Sequence, residues 1–326
     1  MAIGLLLSAA TAAKLSYALP AVAYGGLTLI DCRHRPAWLI LGAAPAAVLV
    51  ATTWAVAPDA FVFDVLRFPT AAPEQFYAAR RAWKLAAWAR IIDILKSLAL
   101  GPALLMMALV IRDRCRDSLA VMLDVMIAAG LIAAILPGPT WRQYLLVMLP
   151  PLFVRASPTI ARLWSSIRGR VAAGLFIAAG LAPSLVTLGI AVHSGWPLLV
   201  ATRDGRALRD AMDRLHVVGP IATLSPQFVP ATGRPIDPRF ATGPFFFRST
   251  GLLSAADERR FALVSRATIA AQFTRHPPAA VVTGGKDSWT SGDPGLDTSL
   301  SVAAHAQGWQ AVTVPGTPFT LYTKRH

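Results

Sequence analysis

The sequence contains little charge and almost no cysteine. Charged residues make up 15% of its 326 residues and hydrophobic residues 55%, whereas an average soluble domain is about 25% charged. This balance argues against a water-soluble globular fold for the whole chain and favours a membrane-embedded one. Cys32 and Cys115 lie in short arginine-rich segments, which excludes a disulfide-stapled secreted fold. The histidines are scattered without ligand-like spacing, so no metal site is predicted.

The charge that is present is strongly basic, with 31 Lys and Arg residues against 17 Asp and Glu and a net charge of +14. No basic stripe with interleaved aromatic residues occurs, so nucleic-acid binding is not predicted. Much of the arginine instead lies in short runs between apolar segments. In a membrane protein this distribution indicates topology, because cytoplasmic loops carry an excess of Lys and Arg.

Long apolar segments alternate with these basic runs. A bilayer span needs about 17–25 apolar residues, and about six segments approach that length, at residues 3–30, 38–57, 97–111, 119–136, 143–157 and 171–193. The arginines near residues 33–35, 112–116 and 155–170 fall in alternate connectors, which we therefore place in the cytoplasm. The sequence predicts an α-helical polytopic membrane domain over residues 1–195.

One basic connector, residues 58–96, falls on the outer side of the membrane by the same alternation. Its later half, residues 74–90, combines aromatic and basic side chains. Helices of that composition lie at the boundary between lipid headgroups and acyl chains. We therefore expect an outer amphipathic loop with an interfacial helix here.

The composition changes after residue 195, and residues 203–326 predict a small periplasmic α/β domain. We expect helices at residues 207–216, 257–273 and 299–307, and strands at residues 221–224, 279–283, 310–314 and 320–323. The stretch 225–247, rich in proline and glycine, is expected to be an ordered loop whose aromatic rings pack on the sheet or lie at the membrane surface. Residues 283–288 do not match a phosphate-binding P-loop and are predicted to be a plain loop.

Lys14 is the charged residue in the middle of the first predicted span. A charge at such a depth costs at least about 2.5–3.5 kcal/mol, and it usually faces a protein interior or a water-filled cavity. Two interpretations stay open. Lys14 is either a cation that binds a phosphate or carboxylate near the membrane, or a snorkelling or structurally paired lysine.

A second cluster, Trp141, Arg142 and Tyr144, precedes the pair Pro150 and Pro151 at the outer end of the fifth predicted span. A guanidinium at that level is suited to bidentate phosphate binding. The same residue types are also typical of a plain interfacial anchor, so both interpretations stay open. The double proline is expected to break the helix and free backbone groups.

Acidic residues give weaker signals. Asp124 lies a few residues inside the fourth predicted span, where pairing with an arginine of the adjacent cytoplasmic loop is favoured over a functional role. Asp59, Asp64 and Glu74 in the outer loop are candidates for acid–base chemistry. A solvated or capping role is favoured for each of them, because no paired-carboxylate motif is present.

Three stretches resemble the C-terminal half of a GT-C membrane glycosyltransferase of the protein O-mannosyltransferase and lipid A aminoarabinose transferase type. Residues 4–16, with Thr11 and Lys14, are similar to a glycine-rich span of that group that carries threonine and lysine. Residues 142–151 resemble its Tyr-Leu-Leu-Pro-x-x-Pro motif. Residues 223–245 resemble the C-terminal domain of bacterial members.

The resemblance implies sugar transfer from a polyprenyl-phosphate-linked donor to an unidentified acceptor on the periplasmic side of the bacterial inner membrane, with no other cofactor. Arg142, Lys14 and Tyr144, with Arg67 as a weaker candidate, are the residues that would bind the lipid phosphate. The catalytic carboxylate of the family lies in an outer loop before the spans matched here. The catalytic residue is therefore unknown, and the chain is expected to be the C-terminal part of such an enzyme.

The alternative function comes from another class, a non-catalytic membrane scaffold whose periplasmic domain binds a partner. A transporter is disfavoured because no inverted repeat is evident.

Overall fold

The structure, a computed structural model, describes residues 1–31, 35–114, 117–249, 251–285 and 295–324, without the side chains of residues 79 and 80. Its chain divides into two compact units, Met1–Leu188 and Gly189–His326. The first unit is helical, and the second contains a four-stranded sheet. The predicted order, a helical membrane region followed by a small α/β region, is confirmed. Cys32 and Cys115, like Lys286 and the rest of the predicted loop 283–288 beyond it, lie outside the described residues.

Ten α-helices are found in the described part of the first unit, and the last of them runs past the boundary between the units. In chain order they are α1 (Ala2–Ala13), α2 (Ala18–Ile30), α3 (Pro36–Val56), α4 (Pro58–Val62), α5 (Phe68–Arg81), α6 (Ala87–Leu98), α7 (Ala103–Arg112), α8 (Ser118–Ile135), α9 (Leu149–Trp164) and α10 (Ile167–His193). A π-helical turn, Phe63–Arg67, joins α4 to α5, and a 3-10 turn, Arg142–Val147, precedes α9.

Three helical stretches of the described chain are long and apolar enough to cross a membrane, namely Pro36–Val56, Ser118–Ile135 and Ile167–Arg214. The last of these begins with α10 and continues, after a short interruption, into the first helix of the second unit. The pair α6 and α7 is a fourth candidate if the two helices form one span, although the pair bends by 101°. The chain is therefore a membrane protein with several apolar helices able to span a bilayer. Of the about six spans that the sequence predicts, the described residues support three, or four if the bent pair is one span.

The first predicted span, residues 3–30, is broken in the middle. Lys14 has extended backbone angles, φ −156° and ψ 118°, and a 3-10 turn, Leu15–Tyr17, follows it. The helices on either side, α1 and α2, have 12 and 13 residues. At a rise of 1.5 Å per residue each is about 20 Å long or less, shorter than the hydrocarbon core of about 30 Å.

The fifth predicted span, residues 143–157, is also different. It begins in the 3-10 turn and continues as α9, which has 16 residues. Pro150 and Pro151 lie in the first turn of α9, where proline is tolerated because the N–H that it lacks would have no helical partner. The double proline therefore begins a helix and does not break one.

The helices of the first unit pack closely through small residues. A Cβ atom on Gly4 would lie 2.1 Å from the carbonyl oxygen of Leu39, and one on Gly42 would lie 2.0 Å from that of Met1. α1 and α3 therefore touch backbone to backbone, as membrane helices do at small residues. A buried cluster joins α6, α7, α8, the 3-10 turn and α9, and it consists of Ile94, Leu98, Ala103, Met106, Ile127, Ala134, Leu145, Met148, Leu152 and Ala156.

The predicted interfacial helix over residues 74–90 is not one helix. α5 ends at Arg81, a 3-10 turn covers Ala82–Leu85, and α6 begins at Ala87. The indole rings of Trp83 and Trp88 stack with centroids 6.1 Å apart, and both residues are exposed. The aromatic and basic character of the segment is thus carried by a helix junction.

The second unit contains a mixed sheet with helices around it. Its elements are α11 (Pro197–Arg214), β1 (Ile221–Thr223), α12 (Pro244–Phe247), α13 (Ala255–Arg260), α14 (Ile269–Arg275), β2 (Ala280–Thr283), α15 (Leu296–Ala306), β3 (Gln310–Thr313) and β4 (Thr320–Thr323). The strand order is β1-β2-β4-β3, with β1 and β2 parallel and the other pairs antiparallel. All four predicted strands are confirmed.

One predicted helix of this unit, residues 257–273, is divided into α13 and α14. Glu258 is 2% exposed, and its carboxylate accepts hydrogen bonds from the backbone N–H of Ser265 at 3.2 Å and from the Thr268 hydroxyl. The chain must turn back after α13 to bring these donors to the buried charge, and Ala262 in that turn has φ 52°. Satisfying a buried carboxylate here outweighs helix continuity.

Candidate functional site

Lys14 lies against the segment that contains Arg142. Its ammonium donates a hydrogen bond to the backbone carbonyl of Gln143 at 3.5 Å and lies 4.8 Å from the centre of the Tyr144 ring. That distance is within the range of a cation–π interaction. Two of the residues predicted to bind a lipid phosphate, Lys14 and Tyr144, are therefore in direct contact. Arg142 directly precedes Gln143 and lies two residues before Tyr144 in sequence.

Tyr144 is suited to hold a cation at this position. Burial raises the pKa of its phenol above the ordinary value, so the ring stays neutral at physiological pH. Two further hydroxyl groups, Ser16 Oγ and Thr140 Oγ1, are buried in the neighbouring turns and have no hydrogen-bond partner in the described part of the chain. Buried hydroxyls are normally satisfied, so this region has polar capacity that the described side chains do not use.

Arg142 lines a cavity of about 330 Å³. The other residues around the cavity are mainly apolar or small, and they are Ser97, Leu98, Leu100, Ala103, Gln143, Leu145, Leu146 and Leu149. The Arg142 side chain is exposed, and its guanidinium makes no hydrogen bond or ion pair with the described residues. None of the lining residues is acidic. The cavity thus combines leucine walls with one uncompensated cation, which suits a ligand that is apolar and anionic at once.

The cavity is located where the chain bends between α6 and α7. Four of its lining residues, Ser97, Leu98, Leu100 and Ala103, flank Gly101 and Pro102 at the bend. The guanidinium of Arg90 on α6 donates to the last carbonyls of α8, those of Ile135 and Leu136, both at 3.4 Å. These contacts fix α6 to α8 and hold the bend beside the 3-10 turn that carries Arg142.

Arg67, the weaker candidate, is not brought to this cavity. It ends the π-helical turn, its side chain is exposed, and it makes no hydrogen bond or ion pair through that side chain with the described residues. Asp59 and Asp64 lie in the first turns of their helical segments, α4 and the π-helical turn, and Glu74 is exposed on α5. The position of Asp59 at the start of α4 suits the predicted capping role, whereas Asp64 follows α4 without a break in the helical backbone and does not begin a helix.

Asp124 is paired, although with a different arginine from the one expected. Its carboxylate accepts a hydrogen bond from Arg155 Nε at 3.0 Å, and Arg155 Nη1 also donates to Asp113 at 2.6 Å. Arg155 is 4% exposed and belongs to α9, not to the loop adjacent to α8. The Arg162 guanidinium, 3.6 Å from Asp113, supplies a second positive charge. The cluster therefore connects α7, α8 and α9, and its two arginines compensate its two carboxylates, as a structural network requires.

The second unit confirms one expectation for residues 225–247. The stretch forms short helical turns, and Phe240 and Phe247 belong to the core cluster that contains the strand residues Ala222 and Val281. Phe245, in contrast, is 55% exposed.

Among the described residues, no group of three His, Cys, Asp or Glu side chains is placed to hold a metal ion.

The sequence signal for the cavity is the helix-breaking pair Gly101-Pro102, and the prediction of a continuous span over residues 97–111 overlooked it. The break at Lys14 has no such signal, since the residues around it are alanine, leucine and serine.

Comparison of the chain with protein-family models, with curated proteins and with solved structures gave no match.

Proposed function

We propose that the chain binds a polyprenyl-phosphate lipid in the cavity beside Arg142 and acts as the lipid-binding, C-terminal part of a membrane glycosyltransferase. The observation that carries the proposal is the pairing of leucine walls with an uncompensated guanidinium, next to the contact of Lys14 with Gln143 and Tyr144. A polyprenyl phosphate has the matching chemistry, an apolar chain that ends in an anion. The sequence resemblance described above supplies the reaction, sugar transfer on the periplasmic side of the bacterial inner membrane.

In that reaction the lipid phosphate is the leaving group, and its negative charge grows in the transition state. A fixed cation that meets this charge stabilises the transition state more than the ground state. Arg142 is the candidate for that role, because its fork can donate two parallel hydrogen bonds. Lys14 already donates to a backbone carbonyl, so we assign it the positioning of the 3-10 turn that carries Arg142.

No residue is assigned to activate the acceptor hydroxyl, since the lining of the cavity contains no carboxylate. This observation favours one alternative, a non-catalytic membrane scaffold whose C-terminal unit binds a partner. The two functions differ in whether the cavity takes a lipid phosphate.

The test is binding of farnesyl phosphate to the full chain in nanodiscs of neutral lipid, measured by isothermal titration. Arg142→Ala removes charged hydrogen bonds worth about 1.5–3 kcal/mol, so we expect affinity to fall by about tenfold or more. Arg142→Lys should recover part of it, because the charge remains and the fork is lost. Arg170→Ala, which removes an exposed arginine of α10 away from the cavity lining, is the control.

If the Arg142→Ala variant and the unchanged chain bound farnesyl phosphate with equal affinity, the assignment of the site to Arg142 would be wrong. If neither bound it, the scaffold function would be favoured. Transfer is tested separately with polyprenyl-phosphate mannose and polyprenyl-phosphate aminoarabinose as donors and a membrane extract as the source of acceptors. Release of the lipid phosphate that depends on Arg142 supports the enzyme.

A further inference from the structure

A second cleft, in the C-terminal unit, is polar and basic. It has a volume of about 400 Å³ and is lined by Arg214, Leu215, His216, Gln310, Thr323 and Lys324. All of these residues except Leu215 are polar, three are basic and none is acidic. An apolar ligand is therefore unsuited to this cleft.

The fold brings the lining residues together from three elements. Gln310 begins β3 and pairs with Thr323, the last residue of β4, which also pairs with Ala280 at the start of β2. α11 ends at Arg214, and the chain then enters β1, the strand beside β2. One buried cluster, which includes Met212, Val217, Ala280 and Leu321, packs these ends against each other. The cleft is thus built on elements with a common core.

Within the part of the chain that the structure describes, the basic groups of the cleft have no counter-charge. The side chains of Arg214, His216 and Lys324 make no hydrogen bond or ion pair with the described residues. The carboxylate next to them in sequence, Asp213, is engaged by the guanidinium of Arg234. Like charges gathered in a concave surface raise its positive potential and concentrate anions there.

The position of the helix end accounts for only part of this cluster. Basic side chains in the last turn of a helix complement its dipole, which explains Arg214. Lys324 comes from the other wall of the cleft, at the end of β4, where no helix ends. His216 has φ 51°, a left-handed backbone conformation that favours glycine after a helix. A glycine there would leave the cleft without an imidazole.

The set of donors matches a phosphate group. A guanidinium forms paired hydrogen bonds to phosphate oxygens, and an ammonium contributes a point charge. The Gln310 amide and the Thr323 hydroxyl add neutral donors, and Thr323 is 6% exposed. The volume of about 400 Å³ falls in the range of small-molecule sites, about 300–1,000 Å³.

We propose that this cleft binds a phosphate-bearing anion, a phosphomonoester or pyrophosphate group. The group belongs either to a soluble compound or to a lipid headgroup, and both present the same oxygens to the same donors. The site is independent of the lipid site proposed for the first unit.

The experiment uses the full chain in neutral nanodiscs with the Arg142→Ala substitution present throughout, so that the cavity of the first unit does not contribute to phosphate binding. In the first arm, inorganic pyrophosphate is titrated by calorimetry. We expect Arg214→Gln or Lys324→Gln to weaken binding at least about fivefold, and the double variant to abolish it. Arg206→Gln is the matched control, because Arg206 is an exposed arginine of the same helix outside the cleft.

The second arm measures flotation of the same nanodiscs with liposomes that contain phosphatidic acid, against liposomes of phosphatidylcholine alone. If the double variant loses only pyrophosphate binding, the site is assigned to a soluble phosphate compound. If it loses only flotation with phosphatidic acid liposomes, the site is assigned to a lipid headgroup. Loss of both supports a site that accepts the phosphate of either source. If neither arm shows binding, or if Arg206→Gln weakens binding as much as the double variant does, the proposal is wrong.

Discussion

The backbone N–H of Gly101 donates a hydrogen bond to the carbonyl of Gly180 at 2.7 Å. This bond connects the bend between α6 and α7 to the middle of α10. A Cβ atom on Gly180 would lie 2.4 Å from the carbonyl oxygen of Gly101, so the two backbones approach only because residue 180 has no side chain. Because the bend contributes Ser97, Leu98, Leu100 and Ala103 to the cavity, the contact helps to determine the shape of the cavity.

Gly180→Ala should therefore destabilise the first unit and disturb the cavity. Inserting a methyl group where backbone atoms cannot move away costs about 1–3 kcal/mol. We expect lower thermal stability in detergent, followed by circular dichroism, and weaker farnesyl phosphate binding. Gly174→Ala in the same helix is the control, because a Cβ atom there meets nothing within 4 Å. That variant should be neutral or stabilising by up to about 1 kcal/mol, and equal losses in the two variants would exclude the packing argument.

Lys14 and Tyr144 give a second prediction, since a cation over a ring depends on the ring and not on the phenol hydroxyl. Tyr144→Phe should keep the stability of the protein, whereas Tyr144→Leu should lose the interaction, about 0.5–2 kcal/mol. Lys14→Met should cost a similar amount, and the double variant Lys14→Met, Tyr144→Leu should cost less than the sum of the two. Unfolding by sodium dodecyl sulfate in mixed micelles measures each value, and full additivity would show that the two residues do not interact.

The sequence predicts those parts of the fold that depend on contacts between residues close together along the chain. The strands of the C-terminal unit were predictable because short β-branched runs are bounded by proline and glycine, as at Ile221–Thr223 and Ala280–Thr283. The division of the predicted helix 257–273 into two helices was not predictable, since it depends on the burial of Glu258. No local pattern states that a carboxylate will be buried.

The candidate site shows the same limit. Lys14 and Arg142 could be chosen because a charge near a bilayer is costly and needs a reason. The contact between Lys14 and Tyr144 could not be predicted, because the two residues are far apart along the chain. It also depends on a helix break at Lys14 that no neighbouring proline or glycine marks. Hydropathy counts apolar residues, and it cannot tell one long span from two short helices that meet at an extended residue.

The buried cluster of Arg155 gives a third prediction. Arg155→Leu leaves the carboxylates of Asp113 and Asp124 without their main cation, and breaking a buried pair in this way costs about 3–5 kcal/mol. The triple variant Arg155→Leu, Asp113→Asn, Asp124→Asn removes the uncompensated charge and should recover most of that loss. Denaturation in mixed micelles compares the variants. If the triple variant were as unstable as Arg155→Leu alone, the shape of the arginine and not its charge would hold α7, α8 and α9 together.

The last prediction uses two phenylalanines of the C-terminal unit that are two residues apart. Phe247 is 1% exposed and lies in the core with Phe240, whereas Phe245 is 55% exposed. Phe247→Ala should cost about 3–5 kcal/mol, because it removes a buried ring and leaves a cavity behind. Phe245→Ala should cost less than about 1 kcal/mol in the same full chain, and urea unfolding followed by tryptophan fluorescence separates the two values. Comparable losses would mean that Phe245 is covered in the folded protein, by lipid or by a partner.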